Sequence, residues 1–515
     1  MNKTSRRVLF VCTLSLISLL FCKKPKIQYD TTKEARGLWV TRWEWAKSEL
    51  VNDTKAQKKR IIEIFDIARK ANINFLLFQV RGNGDAFYQS HFEPWSDLLT
   101  GTLGKNPGWD PLAFAIKEAH KRGLELHAWV NTFPAWRGTS PPPHTQPEHV
   151  YNAHPEWIIH DKNGKPMPLK GYYVNLSPGI PAVREYVSKV CMDIVKNYDI
   201  DGIHFDYIRY PEKSPELGYS QDPISLKLFN SPEGNPDNLS WADWQRENIN
   251  QFVRKFYDRA TGLKPWLKIS AAVIGKYNYS EWNGYHVVYQ DALRWIKEKK
   301  IDFICPMIYW QTNHPTAPFG KITQDWLNNY LHDRYIFPGL MINRLGSENW
   351  SLDEFIKQVT ICRNNGNGMV FFSFSGMEKA MKMLNHAGFQ YLANFPPMPW
   401  KDQSPPMDPR NLSAVILSSG AVQLKWSSPD TTLELSDVVR YNIFRSQETP
   451  VDILKAQNLI HITASKDTLF TDISVQPNST YYYVVTALDR VNNESPPSNE
   501  VRVIVPQLVL RTISD

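Results

Sequence analysis

The sequence predicts an α/β chain, a (β/α)₈ barrel followed by an all-β immunoglobulin-like sandwich, and three observations carry that prediction. Between residues 35 and 385, eight short and nearly continuous apolar runs alternate with amphipathic stretches, as parallel strands covered on both faces require. No glycine-rich phosphate turn follows the first run, where an open doubly wound sheet carries one; TRWEWAKSEL stands there instead. Beyond a proline-rich stretch the pattern changes to short alternating runs separated by turns.

The eight runs are ARGLWVTRW (35–43), NFLLFQV (74–80), ELHAWVNTF (125–133), GIHFDYIRY (202–210), LKISAAVIG (267–275), DFICPMIYW (302–310), IFPGLMIN (336–343) and GMVFFSFS (368–375). Helical periodicity fills 54–71, 111–122, 181–198, 241–260, 289–299, 322–332 and 352–364. In the last of these, Ser351 is a plausible N-cap, with apolar positions at Phe355, Ile356, Val359 and Cys362. Eight alternations are the number that closes a barrel. Two long connections, 134–180 and 211–240, follow the C-terminal ends of the third and fourth strands and are expected to roof the active face. The barrel is expected over 33–395, a Pro-rich linker over 396–404 and the sandwich over 405–507, with strands at 421–426, 440–446, 469–473 and 480–488.

Composition narrows the function. At 515 residues the chain exceeds one ordinary domain. Its 18 Trp and 23 Tyr suit either a large core or surfaces that stack on sugar faces. The net charge is +7, and Lys3, Arg6 and Arg7 account for part of it. The remainder is too weak and scattered for a nucleic-acid partner. Those three bases precede an apolar run, Val8 to Phe21, with no acid before Asp30, which reads as an export signal. The run is shorter than the about 20 residues of a membrane-spanning helix. It ends at Cys22, resembling the acylated cysteine of a bacterial lipoprotein, although Phe21 stands where such signals favour a small residue. Residues 1–22 are thus expected to be a signal peptide with Cys22 lipidated, giving an exported, membrane-anchored envelope lipoprotein. An uncleaved anchor and ordinary secretion are the alternatives. Cys191, Cys305 and Cys362 sit in apolar patterns with neither disulfide nor zinc spacing, so buried thiols are expected.

On a barrel of this kind, function sits at the C-terminal strand ends. There the runs place Arg42 and Glu44; Gln79, Arg81 and Asp85; His127, Trp129 and Asn131; His204, Asp206, Arg209 and Tyr210; Tyr309, Trp310 and Gln311; Asn343 and Arg344; and Ser373 and Ser375. Such a mixture of acids, amides, bases and rings suits a polyhydroxylated ligand. In DGIHFD (201–206), Ile203 and Phe205 take one strand face, His204 and Asp206 the inward one. A carboxylate there costs solvation unless used or paired. Asp206 is therefore a nucleophile or transition-state stabiliser, or else the partner of Arg209 or Arg81. Glycoside hydrolysis uses two carboxyls, about 5–5.5 Å apart for retention and roughly 6.5–9.5 Å for inversion. Asp85, flanked by Gly82 and Gly84, is the expected second one; Glu44 is the reserve, and Asp302, at the start of its strand, reads as structural. Alternatively, His127, His204 and Asp206 would make a three-ligand metal site. No cofactor is indicated, and the oligomeric state is not legible.

Asp201–Asp206 resembles the DGxDxDxE strand of chitinase-type glycosidases, but Ile208 stands at the acid position and His204 at the first internal Asp. The closer resemblance is to glycosyl hydrolase-like family 10, a bacterial barrel family. ARGLWVT (35–41), FQVRGNGDAFYQS (78–90), AHKRGLELHAWVN (119–131), DGIHFDYIRYP (201–211) and IDFICPMIYW (301–310) carry it. The resemblance implies an exported or lipid-anchored glycoside hydrolase acting on bacterial cell-wall polysaccharide, including peptidoglycan strands stripped of peptide. It gives Asp206 the catalytic role of the fourth-strand Asp. It makes Arg81, Asp85, His127, Trp129, Asn131, Tyr309 and Trp310 barrel-mouth residues, with His204 and Arg209 beside them as expected substrate contacts. Trp426, YNIF (441–444) and Tyr481–Tyr483 resemble a fibronectin type III domain. The rival reading is a carbohydrate-binding surface lipoprotein without catalysis; a metal-dependent hydrolase is the third.

Overall fold

Eight parallel strands close on one another: β1 (Ala35–Val40), β2 (Phe75–Arg81), β3 (Glu125–Asn131), β4 (Gly202–Asp206), β5 (Lys268–Ile274), β6 (Phe303–Met307), β7 (Tyr335–Ile336 with Gly339–Leu340) and β8 (Gly368–Phe371). β1 pairs with both β2 and β8, and the second half of β7 bridges β6 and β8. The barrel is therefore closed. β7 is broken because Pro338, between its halves, brings no N–H to the ladder. The computed structural model describes residues 31–507 apart from 213, 220, 279–281, 329–333, 348–349, 387, 430–437 and 465–466. The expected export segment and Cys22 lie outside the described residues.

A helix follows each strand: α1 (Thr54–Lys70), α2 (Pro111–His120), α3 (Pro181–Asn197), α4 (Trp241–Leu263), α5 (Ala292–Lys297), α6 (Phe319–Asn328), α7 (Leu352–Asn365) and α8 (Met377–His386). Ser351 caps α7, its hydroxyl accepting from the Glu354 N–H at 3.2 Å. Strand alternation splits the interior into two layers. Leu38, Val40, Leu76, Phe78, Leu126, Ile203 and Phe205 face the helices. Trp39, Phe75, Leu77, Trp129, Ala272, Phe303 and Val370 fill the barrel. Cys191, Cys305 and Cys362 are buried free thiols whose burial raises their pKa, Cys191 to about 12.

The barrel floor is closed by the chain that leaves it. Phe395, Met398 and Val491 join the interior cluster from below. Asp302 holds this segment: its carboxylate accepts from Trp400 Nε1 at 2.8 Å and pairs with Lys401 at 2.9 Å. Beyond it, β9 (Arg410–Ile416), β10 (Val422–Ser427) and β13 (Leu469–Asp472) form one antiparallel sheet. β11 (Arg440–Ser446), β12 (Leu459–Ile462), β14 (Ser479–Leu488) and β15 (Val501–Val505) form the other. Trp426, Tyr441 and Tyr483 are buried between them. This sandwich has its own core yet docks on the barrel floor. Arg440 Nη2 and Asn492 Nδ2 reach Glu125, at the start of β3, at 2.9 and 2.8 Å. Glu125 also pairs with Lys268 at 3.2 Å, and that ammonium donates to the Arg490 carbonyl at 3.0 Å.

Candidate active site

β4 ends on Asp206, and the chain turns sharply there because Tyr207 has φ +50°, a left-handed conformation that is strained for a bulky residue. The turn is held from two sides. The Tyr173 ring meets the Tyr207 ring edge-on at 5.0 Å, and the Arg209 guanidinium lies over it at 4.4 Å. The same turn aims two donors at one carboxylate oxygen: the Tyr207 N–H at 2.6 Å and Arg209 Nη1 at 3.2 Å, both to Asp206 Oδ1. The indole of Trp129 lies beside this carboxyl. Burial pushes the Asp206 carboxyl above its ordinary range, while Arg209, the Tyr207 N–H and Trp129 pull it back. Burial, then the Asp206 charge, holds the Tyr309 phenol well above its usual pKa, so it remains a donor at neutral pH.

Over this turn opens a cavity of about 560 Å³, lined by Tyr172, Tyr173, Tyr207, Tyr210 and Tyr219 with Lys170, Arg209 and Glu212. The connection after β3 builds one wall through a short ribbon, Pro134–Arg137 paired with Tyr173–Asn175. The connection after β4 builds the other. Tyr172 is 49% exposed, a ring offered to the solvent. Five phenols with two cations and one free acid suit a sugar chain: rings stack on its C–H faces, while charges and hydroxyls bind its polar edge.

The structure parts the expected mouth residues. Arg209, Tyr309 and Trp129 gather around Asp206. Trp310 stands farther round the rim, under the Lys276 ammonium at 5.2 Å. Arg81 leaves the expected substrate set: it is fully buried and forks onto Glu93 at 2.7–3.0 Å, a partner supplied by the loop after β2. Asn131 is likewise buried, giving its amide to the Gly82 carbonyl at 2.9 Å and accepting from Gln79 at 3.2 Å. His127 points inward but near the floor. Its Nε2 lies 3.2 Å from Glu125, with rings of Phe75, Phe303 and Phe395 around it. Gly202 belongs to that arrangement, since a Cβ there would meet His127 Nδ1 at 2.4 Å. His204 is also buried; its Nε2 accepts from Trp39 Nε1 at 3.1 Å, so Nδ1 carries the proton toward Ser270 Oγ at 2.9 Å. Burial and His127 hold His204 well below its ordinary pKa, hence neutral. Among the described residues, His127 Nδ1 has no hydrogen-bond partner, but no three His, Cys, Asp or Glu side chains are grouped to hold a metal ion.

Asp85 is corrected too. It is 2% exposed and its Oδ1 takes the N–H groups of Gly82 and Asn83 at 3.2 and 2.8 Å. Its charge is felt by Glu93, Asp97 and His149. It shapes the loop. Glu44 is equally committed, accepting from Thr41 N, Ser373 Oγ and Ser375 N at 2.8, 2.7 and 2.5 Å.

A family model described as glycosyl hydrolase-like 10 matches residues 34–352. The chain belongs to this family. Among glycosyl hydrolase-like 10 relatives, the glycosyl hydrolase YngK of Bacillus subtilis (strain 168) is 29% identical over 91% of this chain and 93% of its own length. The glycosyl hydrolase DigH of Escherichia coli (strain K12) is 30% identical over 59% of this chain and 72% of its own. Among solved structures, the PgaB (BpsB) glycoside hydrolase domain from Bordetella bronchiseptica is similar at 12% identity, covering 68% of this chain and 99% of that domain with a TM-score of 0.47. The residues missed by sequence reasoning are Tyr172, Tyr173, Tyr207, Tyr219, Lys170 and Glu212. The Gly-Tyr-Tyr at 171–173 was the available signal, an aromatic pair in a polar loop.

Proposed function

We propose that this chain is an exported glycoside hydrolase, lipid-anchored at Cys22, that cleaves a bacterial cell-wall glycan, the peptide-free strand of peptidoglycan. The observation that carries the reading is Asp206: a carboxylate at the end of β4, oriented by a strained Tyr207 and Arg209, beneath a tyrosine-lined cavity. Strain at such a position is retained where function needs the geometry. In this role Asp206 acts on the anomeric carbon, and Tyr309 offers its O–H and Trp129 its N–H to the ring hydroxyls. A peptide-free strand bears a carboxylate on alternate sugars, which Lys170 and Arg209 in the cavity suit.

One observation favours the rival, a sugar-binding protein without catalysis: Glu44 and Asp85, the two carboxyls expected opposite Asp206, are both bound up in loop geometry. Mass analysis of products from peptide-free glycan strands separates the two readings. The unsubstituted protein is expected to shorten the strands, and Asp206→Asn to slow this by orders of magnitude without lowering the melting temperature. Strands that bind but stay intact would decide for the rival.

A further inference from the structure

We infer that Glu212 is the acid/base carboxyl of this cleft, working opposite Asp206; the inference rests on the hydrolase reading above. The mouth holds several acids, and most are spent. Glu44 accepts three bonds from Thr41, Ser373 and Ser375 just past β1 and β8, Asp85 two from its own loop, and Glu93 holds Arg81. Glu354 accepts from the N–H and hydroxyl of Thr312, both at 2.6 Å. Asp291 caps α5 and takes the Tyr277 phenol at 2.6 Å. A general acid must give up its proton and recover it each cycle, so a carboxyl fixed by several donors is a poor candidate.

Glu212 is different. It lines the same cavity as Tyr207 and Arg209, the two residues that hold Asp206, and it is exposed, with no hydrogen bond or ion pair among the described residues. Its charge reaches the Tyr207 phenol, adding to the rise of that group. It sits six residues after Asp206, just past Pro211, on the connection that forms the cavity wall. A bound sugar chain would strip water from it, and loss of water favours the protonated form a general acid needs.

The chemistry then balances. The glycosidic C–O bond breaks with its electron pair going to the departing oxygen, which takes the Glu212 proton, while the Asp206 carboxylate bonds to the anomeric carbon. Water then replaces Asp206 at that carbon and returns a proton to Glu212. Asp85 and Glu44 need take no part.

The test compares Glu212→Gln with the unsubstituted protein on peptide-free glycan strands, across pH. Turnover should fall by about 100- to 10,000-fold, and the alkaline limb of the kcat profile, where the acid loses its proton, should disappear. The melting temperature should stay where it is, because the side chain is exposed. Near-normal turnover would overturn the inference, and so would a slower variant that keeps the alkaline limb. If the unsubstituted protein and Asp206→Asn both leave the strands uncut, the hydrolase reading itself falls. If Asp206→Asn is silent and Glu212→Gln active, only the assignment of Glu212 falls.

Discussion

Replacing Glu125 by Gln should cost far more stability than any surface ion pair, and the size follows from the barrel floor. The carboxylate is 1% exposed and meets Lys268 at 3.2 Å, Arg440 at 2.9 Å and Asn492 at 2.8 Å. Gln keeps the shape but leaves the Lys268 ammonium, itself fully buried, without its countercharge. Removing one partner of a buried pair costs about 3–5 kcal/mol, against about 0–1 kcal/mol for an exposed pair. Because Arg440 and Asn492 belong to the sandwich, the loss should weaken both domains together. Equilibrium unfolding in urea, followed by tryptophan fluorescence and by circular dichroism, measures it. The pH dependence has a definite sign. Lys268, Arg440 and the His127 contact hold the Glu125 carboxyl well below its ordinary range despite burial. Its contribution is therefore complete above about pH 4.3, the unfolded value, and fades only as pH falls toward the depressed folded value. The gap between the two proteins should stay constant from neutrality down to that point and close in stronger acid. A loss under about 1 kcal/mol, or a gap that closes near neutral pH, would refute the account of the floor.

Two further outcomes are expected. Phe395→Ala removes the ring that plugs the barrel among Phe75, Phe303 and Phe337. It should cost about 3–5 kcal/mol in the same unfolding assay, while activity per folded molecule is unchanged because the mouth lies at the other end. Asp206 has the opposite pH sign to Glu125: its folded pKa is raised, so its burial costs stability as pH rises through that value. Melting temperature against pH should therefore decline from the ordinary carboxylate range toward neutrality, and Asp206→Asn should flatten that decline.

The barrel was legible because parallel strands, covered on both faces, are apolar throughout; each of the eight runs overlaps a strand. What the pattern could not show was where a strand stops. GIHFDYIRY reads as one run, yet the strand ends at Asp206, because Tyr207 turns into a conformation that no propensity marks. Alternation told which residues point inward, not how far up the barrel they stand. His127 alternates onto the same face of β3 as Trp129, yet it lies against Glu125 at the start of the strand, and Trp129 lies beside Asp206. Arg81 sits at a strand end as a mouth residue should, and its partner Glu93 comes from a loop whose path the sequence does not reveal. α8 was missed: its apolar Met377, Ala380 and Leu384 keep helical spacing, but over only ten residues close behind β8.

The strands run from floor to mouth, so the chain enters the barrel at the floor. There Lys33 bridges Asn394 and pairs with Glu494 of the sandwich at 3.7 Å. A lipid on Cys22 would be tied to that point by a leash spanning at most about 40 Å. The Asp206 cleft lies at the opposite end of the strands from that tie point.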